Sequence, residues 1–192
     1  MSLCNPENVI QTTMRLVESN GNSNIRLNAN GGNSIIVVCE PLREGDYIKA
    51  IKDLMAPDNY EIIELNQLLS KFVTENRSDL EDSFGLLKGS IPQIFKTPEG
   101  EEGTDLFGLI LQAIAGSLQA NKIPVLINCG TLYGSGIDSI HIMENELIMK
   151  ALLPVIILYP ATREKDQLMF LSKRPASKYR CMIVDENNGG II

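Results

Sequence analysis

The sequence predicts an α/β protein, a three-layer sandwich with a mainly parallel sheet of Rossmann-like or degenerate P-loop-like type. Two observations carry that expectation. First, Ile123-Pro124-Val125-Leu126-Ile127-Asn128-Cys129 and Pro154-Val155-Ile156-Ile157-Leu158-Tyr159-Pro160 are apolar runs of strand length, separated by a glycine-rich turn and an amphipathic stretch of helical spacing. Runs joined through a helix are not hairpin partners, so they are expected as parallel neighbours, and their unbroken apolar character suits strands covered on both faces. Second, strand and helix patterns alternate along the chain, as they do where helices cover both sides of one sheet. Ligands and partners of such sheets are met at the carboxyl ends of the strands, which directs attention to the residues after Cys129.

The elements follow in order. Asn5 can cap a helix from Pro6 to about Glu18, with Pro6 at the first helical position and Ile10, Met14 and Val17 at helical spacing. Ser19 to Ser34 carries six asparagines and three glycines and reads as an irregular loop. Ile35-Ile36-Val37-Val38-Cys39 is a strand, bounded by turn formers and rich in β-branched residues. Asp46 can cap a helix through Met55 with Tyr47, Ile48, Ile51, Leu54 and Met55 as its buried stripe, and Tyr60 to Leu65 then completes a βαβ unit. Asn66 can cap a further helix through Phe72 and Val73. Residues 75–103 read as an insertion or flap, acidic at its start and charged at its end, with Phe84, Leu86, Leu87, Ile91, Ile94 and Phe95 apolar enough to dock on the body. A long helix is expected from about Asp105 to Gln119. Asp138 can cap another that runs to about Lys150, with Ile140, Met143, Leu147, Ile148, Ala151 and Leu152 facing inward. Leu168 to Leu171 and Tyr179 to Val184 are short strands flanking the sheet, and Asp185 to Ile192 is a frayed tail.

The 192 residues suit one α/β domain, 1–192, long enough to bury a sizeable core. A formal charge of −7 argues against direct nucleic-acid binding, which calls for clustered cations. One basic cluster exists, Arg163, Lys165, Lys173, Arg174, Lys178 and Arg180, readable as a solvated face or as a contact for an acidic partner or phosphate. No apolar run reaches the ~18–20 residues of a membrane span, and the amino terminus lacks a signal-peptide pattern. The four cysteines have no CxxC pairing, which suits reduced thiols in a cytoplasm. Cys39 and Cys129 both end strands and are expected as neighbours, but one histidine and no ligand spacing offer no metal set.

No complete catalytic constellation is present. After the first strand, Glu40-Pro41-Leu42-Arg43-Glu44-Gly45-Asp46 lacks the first glycine, the lysine and the hydroxyl of GxxxxGK[ST], and its carboxylates repel phosphate. The Gly130-Thr131-Leu132-Tyr133-Gly134-Ser135-Gly136 loop has the strand-to-helix context of an anion site, with Gly130, Thr131, Gly134, Gly136 and His141 as its candidate residues. The plainer reading is that its glycines let the chain turn sharply. Ser135 and Ser139 sit in no GxSxG elbow. His141 falls in a first helical turn, where a helix dipole lowers a histidine pKa, and no acidic partner for it can be assigned. Glu144 and Glu146 point to different helix faces and make no acid/base pair. Tyr159-Pro160 with Arg163 places an aromatic, a rigid kink and a cation at a strand end, an arrangement that fits recognition as well as catalysis.

Over these same residues the chain resembles the BrxB family of bacterial BREX phage-defence systems. The likeness is strongest from Ile123 to Val184: the strand into Gly130 and Tyr133, the helix with His141, Asn145 and Leu147, the strand ending Tyr159-Pro160, the segment Leu168 to Leu171, and Tyr179-Arg180 before the last strand. A weaker likeness covers Ile35 to Val73. The chain departs from the family pattern at Ala161, Lys178 and Gly134, where the family tends to glycine, tyrosine and proline. The resemblance implies a non-catalytic adaptor without cofactor, in a complex that blocks phage replication and supports host DNA methylation. It also implies association with the PglZ phosphatase-like component and other BREX components. Tyr133, Tyr159, Arg163, Tyr179 and Arg180 are then the candidate partner contacts. The alternative is a regulatory protein or enzyme that binds a nucleotide or other anion at Gly130–Gly136.

Overall fold

The structure, a computed structural model, describes residues 5–18, 22–86, 92–97, 105–165, 167–176 and 180–186. Its centre is a parallel sheet of β1 (Ser34–Cys39), β2 (Tyr60–Glu64), β3 (Ile123–Ile127), β4 (Val155–Glu164) and a last strand, β7 (Met182–Val184), in the spatial order β2-β3-β4-β1-β7. β5 (Gln167–Phe170) pairs antiparallel with the far end of β4, and β6 (Arg174–Pro175) pairs with β5.

Every residue of β1 and β3 is buried, as expected of strands covered on both faces. Alternation along the strands divides the core in two. Ile36, Val38, Leu126, Ile157 and Tyr159 face one layer, formed by α4 (Leu65–Glu75), α7 (Leu106–Gln119), α8 (Ser139–Met143) and α9 (Glu146–Lys150). Ile35, Val37, Val125, Ile127, Ile156 and Leu158 face the other, where α1 (Pro6–Glu18) and α3 (Glu44–Leu54) supply Val9, Ile10, Tyr47 and Ile51. The result is a three-layer α/β sandwich. β3 and β4 are the parallel neighbours that the sequence leads one to expect, with Val125 opposite Ile156. No helix among the described residues is long and apolar enough to cross a membrane.

Several elements differ from the sequence reading. The asparagine-rich stretch contains α2 (Asn22–Asn28), because Ile25 and Ala29, one turn apart, are both buried, and that burial outweighs the poor helix propensity of asparagine. β1 and β2 do not adjoin, since β4 and β3 lie between them. α3 begins at Glu44, after a short 3-10 turn at Pro41–Arg43, so Asp46 lies in its first turn and not at its cap. α4 starts at Leu65, one residue before the expected Asn66 cap. Asp105 does cap α7, accepting the Gly108 amide at 2.6 Å and the Thr97 amide at 2.6 Å. The single helix expected after Asp138 is two: the Asn145 side chain accepts the Leu147 amide at 3.0 Å and starts α9 anew, an instance of an asparagine competing with the helix ladder.

Within residues 75–103 the chain forms α5 (Arg77–Leu86) and α6 (Pro92–Phe95), while 87–91 and 98–103 lie outside the described residues. Phe95 meets Phe72 with ring centroids 6.1 Å apart, whereas Phe84 is exposed. At the other end of the chain Asp185 is not frayed; it is buried and bound to Arg163, while 187–192 are not described.

Candidate functional site

β3 delivers Asn128 to the carboxyl edge of the sheet in the left-handed conformation, φ 60°, and a 3-10 turn over Cys129–Leu132 follows directly. The turn tucks against the antiparallel arm: a Cβ on Gly130 would stand 3.2 Å from the Leu171 side chain. Gly136 has φ +78°, and a Cβ there would stand 2.5 Å from the Cβ of Pro92. Gly136 is therefore required both by close approach and by backbone conformation, while Gly130 sits in tight contact with a flexible side chain. An anion cradle needs convergent free N–H groups. Here the amides of Thr131, Tyr133 and Ser135 donate to the carbonyls of Asn128, Gly130 and Leu132, each at 3.1 Å, and the Ile137 amide donates to Ser135 Oγ at 3.2 Å. The loop is internally bonded, and its hydrogen bonds favour the turn reading over the anion reading.

His141 closes the same loop. Asp138 N–H donates to His141 Nδ1 at 3.0 Å, in a reciprocal cap at the start of α8. The ring lies edge-on to Phe107, with centroids 6.5 Å apart. Its pKa is lowered, first by burial and then by the nearby Lys96 ammonium, and α8 is only five residues long. Asp138 also bonds Arg174 of β6.

The crevice at the carboxyl ends of β1, β4 and β7 is a second place to look. A cleft of about 360 Å³ is lined there by Val38, Glu40, Ala161, Thr162, Arg163, Asp185 and Glu186. Arg43 pairs with Glu186 at 2.5 Å, and Arg163 with Asp185 at 2.8 Å. The Tyr47 hydroxyl donates to Glu186 at 2.7 Å, and burial followed by this bond raises its pKa. Glu44 reaches across to the Asn128 backbone; burial raises its pKa, and its Oε1 is buried without a hydrogen-bond partner. Burial and the Glu44 charge hold the Cys39 and Cys129 thiols well above the ordinary range, so both are inert, and each lies near enough to feel the same carboxylate. Cys181 is pushed up to about 12 by burial. No group of three or more His, Cys, Asp or Glu side chains converges as a metal site among the described residues.

Of the expected partner contacts, Tyr133 is 49% exposed and Arg180 is exposed, with a 4.0 Å approach to Glu144. Tyr159 is buried at 2% and stacks on Phe170 at 4.8 Å, so it supports the surface and does not form it. The pattern has a cause: Tyr159 is an interior residue of a strand covered on both sides. Phe170 also meets Tyr133, at 6.5 Å, which ties the exposed ring to the core. Arg163 is partly buried in its ion pair, and Tyr179 lies outside the described residues. The sequence reading missed the Arg43–Glu186–Tyr47 network. Glu186 lies 143 positions from Arg43 and 139 from Tyr47, and only the acidic character of Glu40 and Glu44 hinted at a polar crevice. No family model, curated protein or solved structure matches this chain.

Proposed function

We propose that this chain is a non-catalytic adaptor of a BREX-type anti-phage defence complex, acting in the cytoplasm by binding the PglZ phosphatase-like component. Its resemblance to the BrxB family over Ile123 to Val184 supplies the partner. The observation that carries the adaptor reading is the state of the crevice: the cleft where an α/β sheet meets its ligand is lined by Glu40, Asp185 and Glu186, and the arginines beside it are paired, Arg163 with Asp185 and Arg43 with Glu186. Carboxylates there oppose phosphate, and the paired arginines are already committed. The fold in this reading is a degenerate P-loop-like scaffold whose outer surface does the work, with Tyr133 and Arg180 among the contacts. Aromatic and arginine side chains anchored on a rigid base are the usual carriers of interface energy.

Co-purification of the untagged phosphatase-like protein on the tagged chain tests the proposal. A stoichiometric complex is expected, weakened by about 1–3 kcal/mol in Tyr133→Ala. Independent migration of the two purified proteins on size exclusion at micromolar concentration would rule the reading out.

A further inference from the structure

We infer that His141 is an acid-operated latch on the loop that presents Tyr133: with Nδ1 unprotonated it holds the turn before α8 closed, and a proton on Nδ1 releases it. The geometry requires this behaviour. Asp138 N–H donates to Nδ1 at 3.0 Å, so Nδ1 must offer a lone pair and the ring proton must reside on Nε2. A proton taken from solvent by Nδ1 turns the acceptor into a donor that faces another donor. A glutamine at this third helical position of a capping box would keep its acceptor at any pH. The imidazole keeps its acceptor only until Nδ1 takes a proton.

The surroundings add to the effect. The charged groups facing the ring are Lys96 beyond α6, Asp138 on its own loop and Arg174 of β6, with the apolar edge of Phe107 from α7. Lys96 and Arg174 disfavour an imidazolium here and the Asp138 carboxylate, itself bonded to Arg174, favours it; burial and the two cations together outweigh the carboxylate. The same turn is wedged by Gly136 against Pro92 and leads back through Ser135 to Tyr133. The latch rests on this geometry alone and is independent of the proposed partner.

His141 is the sole histidine of the chain, so the untagged protein gives a single imidazole signal to follow by NMR. The signal is expected to titrate below the ordinary value of about 6.5. Hydrogen exchange of the Asp138 amide, corrected for its intrinsic rate, should accelerate by up to about tenfold per pH unit below that value and then level off. His141→Gln keeps the acceptor and should leave Asp138 exchange flat from pH 7.5 to about 5, the range over which histidine changes charge. His141→Ala should exchange fast throughout. An imidazole titrating at or above the ordinary value, Asp138 exchange indifferent to its titration, or the same pH dependence in His141→Gln would each overturn the inference.

Discussion

The Asn33 side chain, fully buried just before β1, donates from Nδ2 to the carbonyls of Ile148, Ala151 and Leu153, each at 3.0 Å. It thereby closes the carbonyl end of α9 and the chain leading into β4. Asn33→Leu keeps the volume but removes all three bonds, leaving Ala151 O to Arg26 and Ile148 O to the Ala151 amide, and should cost about 1–3 kcal/mol, read as a lower urea midpoint at unchanged slope. Glu44 works in the opposite direction. Its folded pKa is raised by burial, so the native state binds more protons than the unfolded one, and its contribution to stability grows as pH falls through that pKa. At pH 7 the buried charge is a burden. Glu44→Gln, whose amide oxygen can still accept from Asn128, should raise the midpoint at pH 7, and the gain should shrink as pH falls and vanish below the unfolded carboxyl pKa of about 4.3. Neither role was legible in the sequence, where Asn33 reads as part of an irregular loop and Glu44 as a carboxylate in the turn after the first strand. Tyr47 reads correctly as a core residue, yet nothing near it in sequence points to Glu186.

At the level of elements, the turn between β5 and β6 stands out. Leu171 and Ser172 both have positive φ, 52° and 56°, and the Lys173 amide closes the turn on the Phe170 carbonyl at 3.0 Å. This hairpin geometry favours Asn-Gly, and each side chain carries a conformational cost. Leu171 is retained by packing on Gly130, whereas Ser172 is exposed and makes a single 3.2 Å bond to Thr162. Ser172→Gly should therefore stabilise by about 0.5–1 kcal/mol in a thermal or urea melt, while Leu171→Gly should not, because it loses the contact. β5 was foreseeable as the segment Leu168 to Leu171, but β6 and the turn that takes in Leu171 were not, because the turn's conformation is imposed by packing against its sequence preference. The same logic separates α8 from α9: the apolar period runs through both, and the break lies in one Asn145 hydrogen bond.

For the molecule as a whole, the sheet order decides what the carboxyl edge can do. With β1 between β4 and β7, the acidic turn after β1 and the Asp185-Glu186 pair after β7 face the same cleft. ATP with magnesium should leave the melting temperature unchanged at millimolar concentration. A ligand at a hundred times its dissociation constant would add about 2.7 kcal/mol, which for a domain of this size is a shift of about 5–10 °C.

The local pattern of the chain settled its class: apolar runs of strand length alternating with amphipathic ones leave little choice but helices on two faces of a parallel sheet, because that is how such surfaces are buried. Strand order, the pairing of Arg43 and Arg163 with carboxylates at the crevice, and the bond made by the His141 ring were decided only in three dimensions. Hydrophobic period is a short-range property that every residue helps to write. An ion pair across 143 positions, or a lone pair aimed at one amide, exists only once the core has fixed where those positions meet.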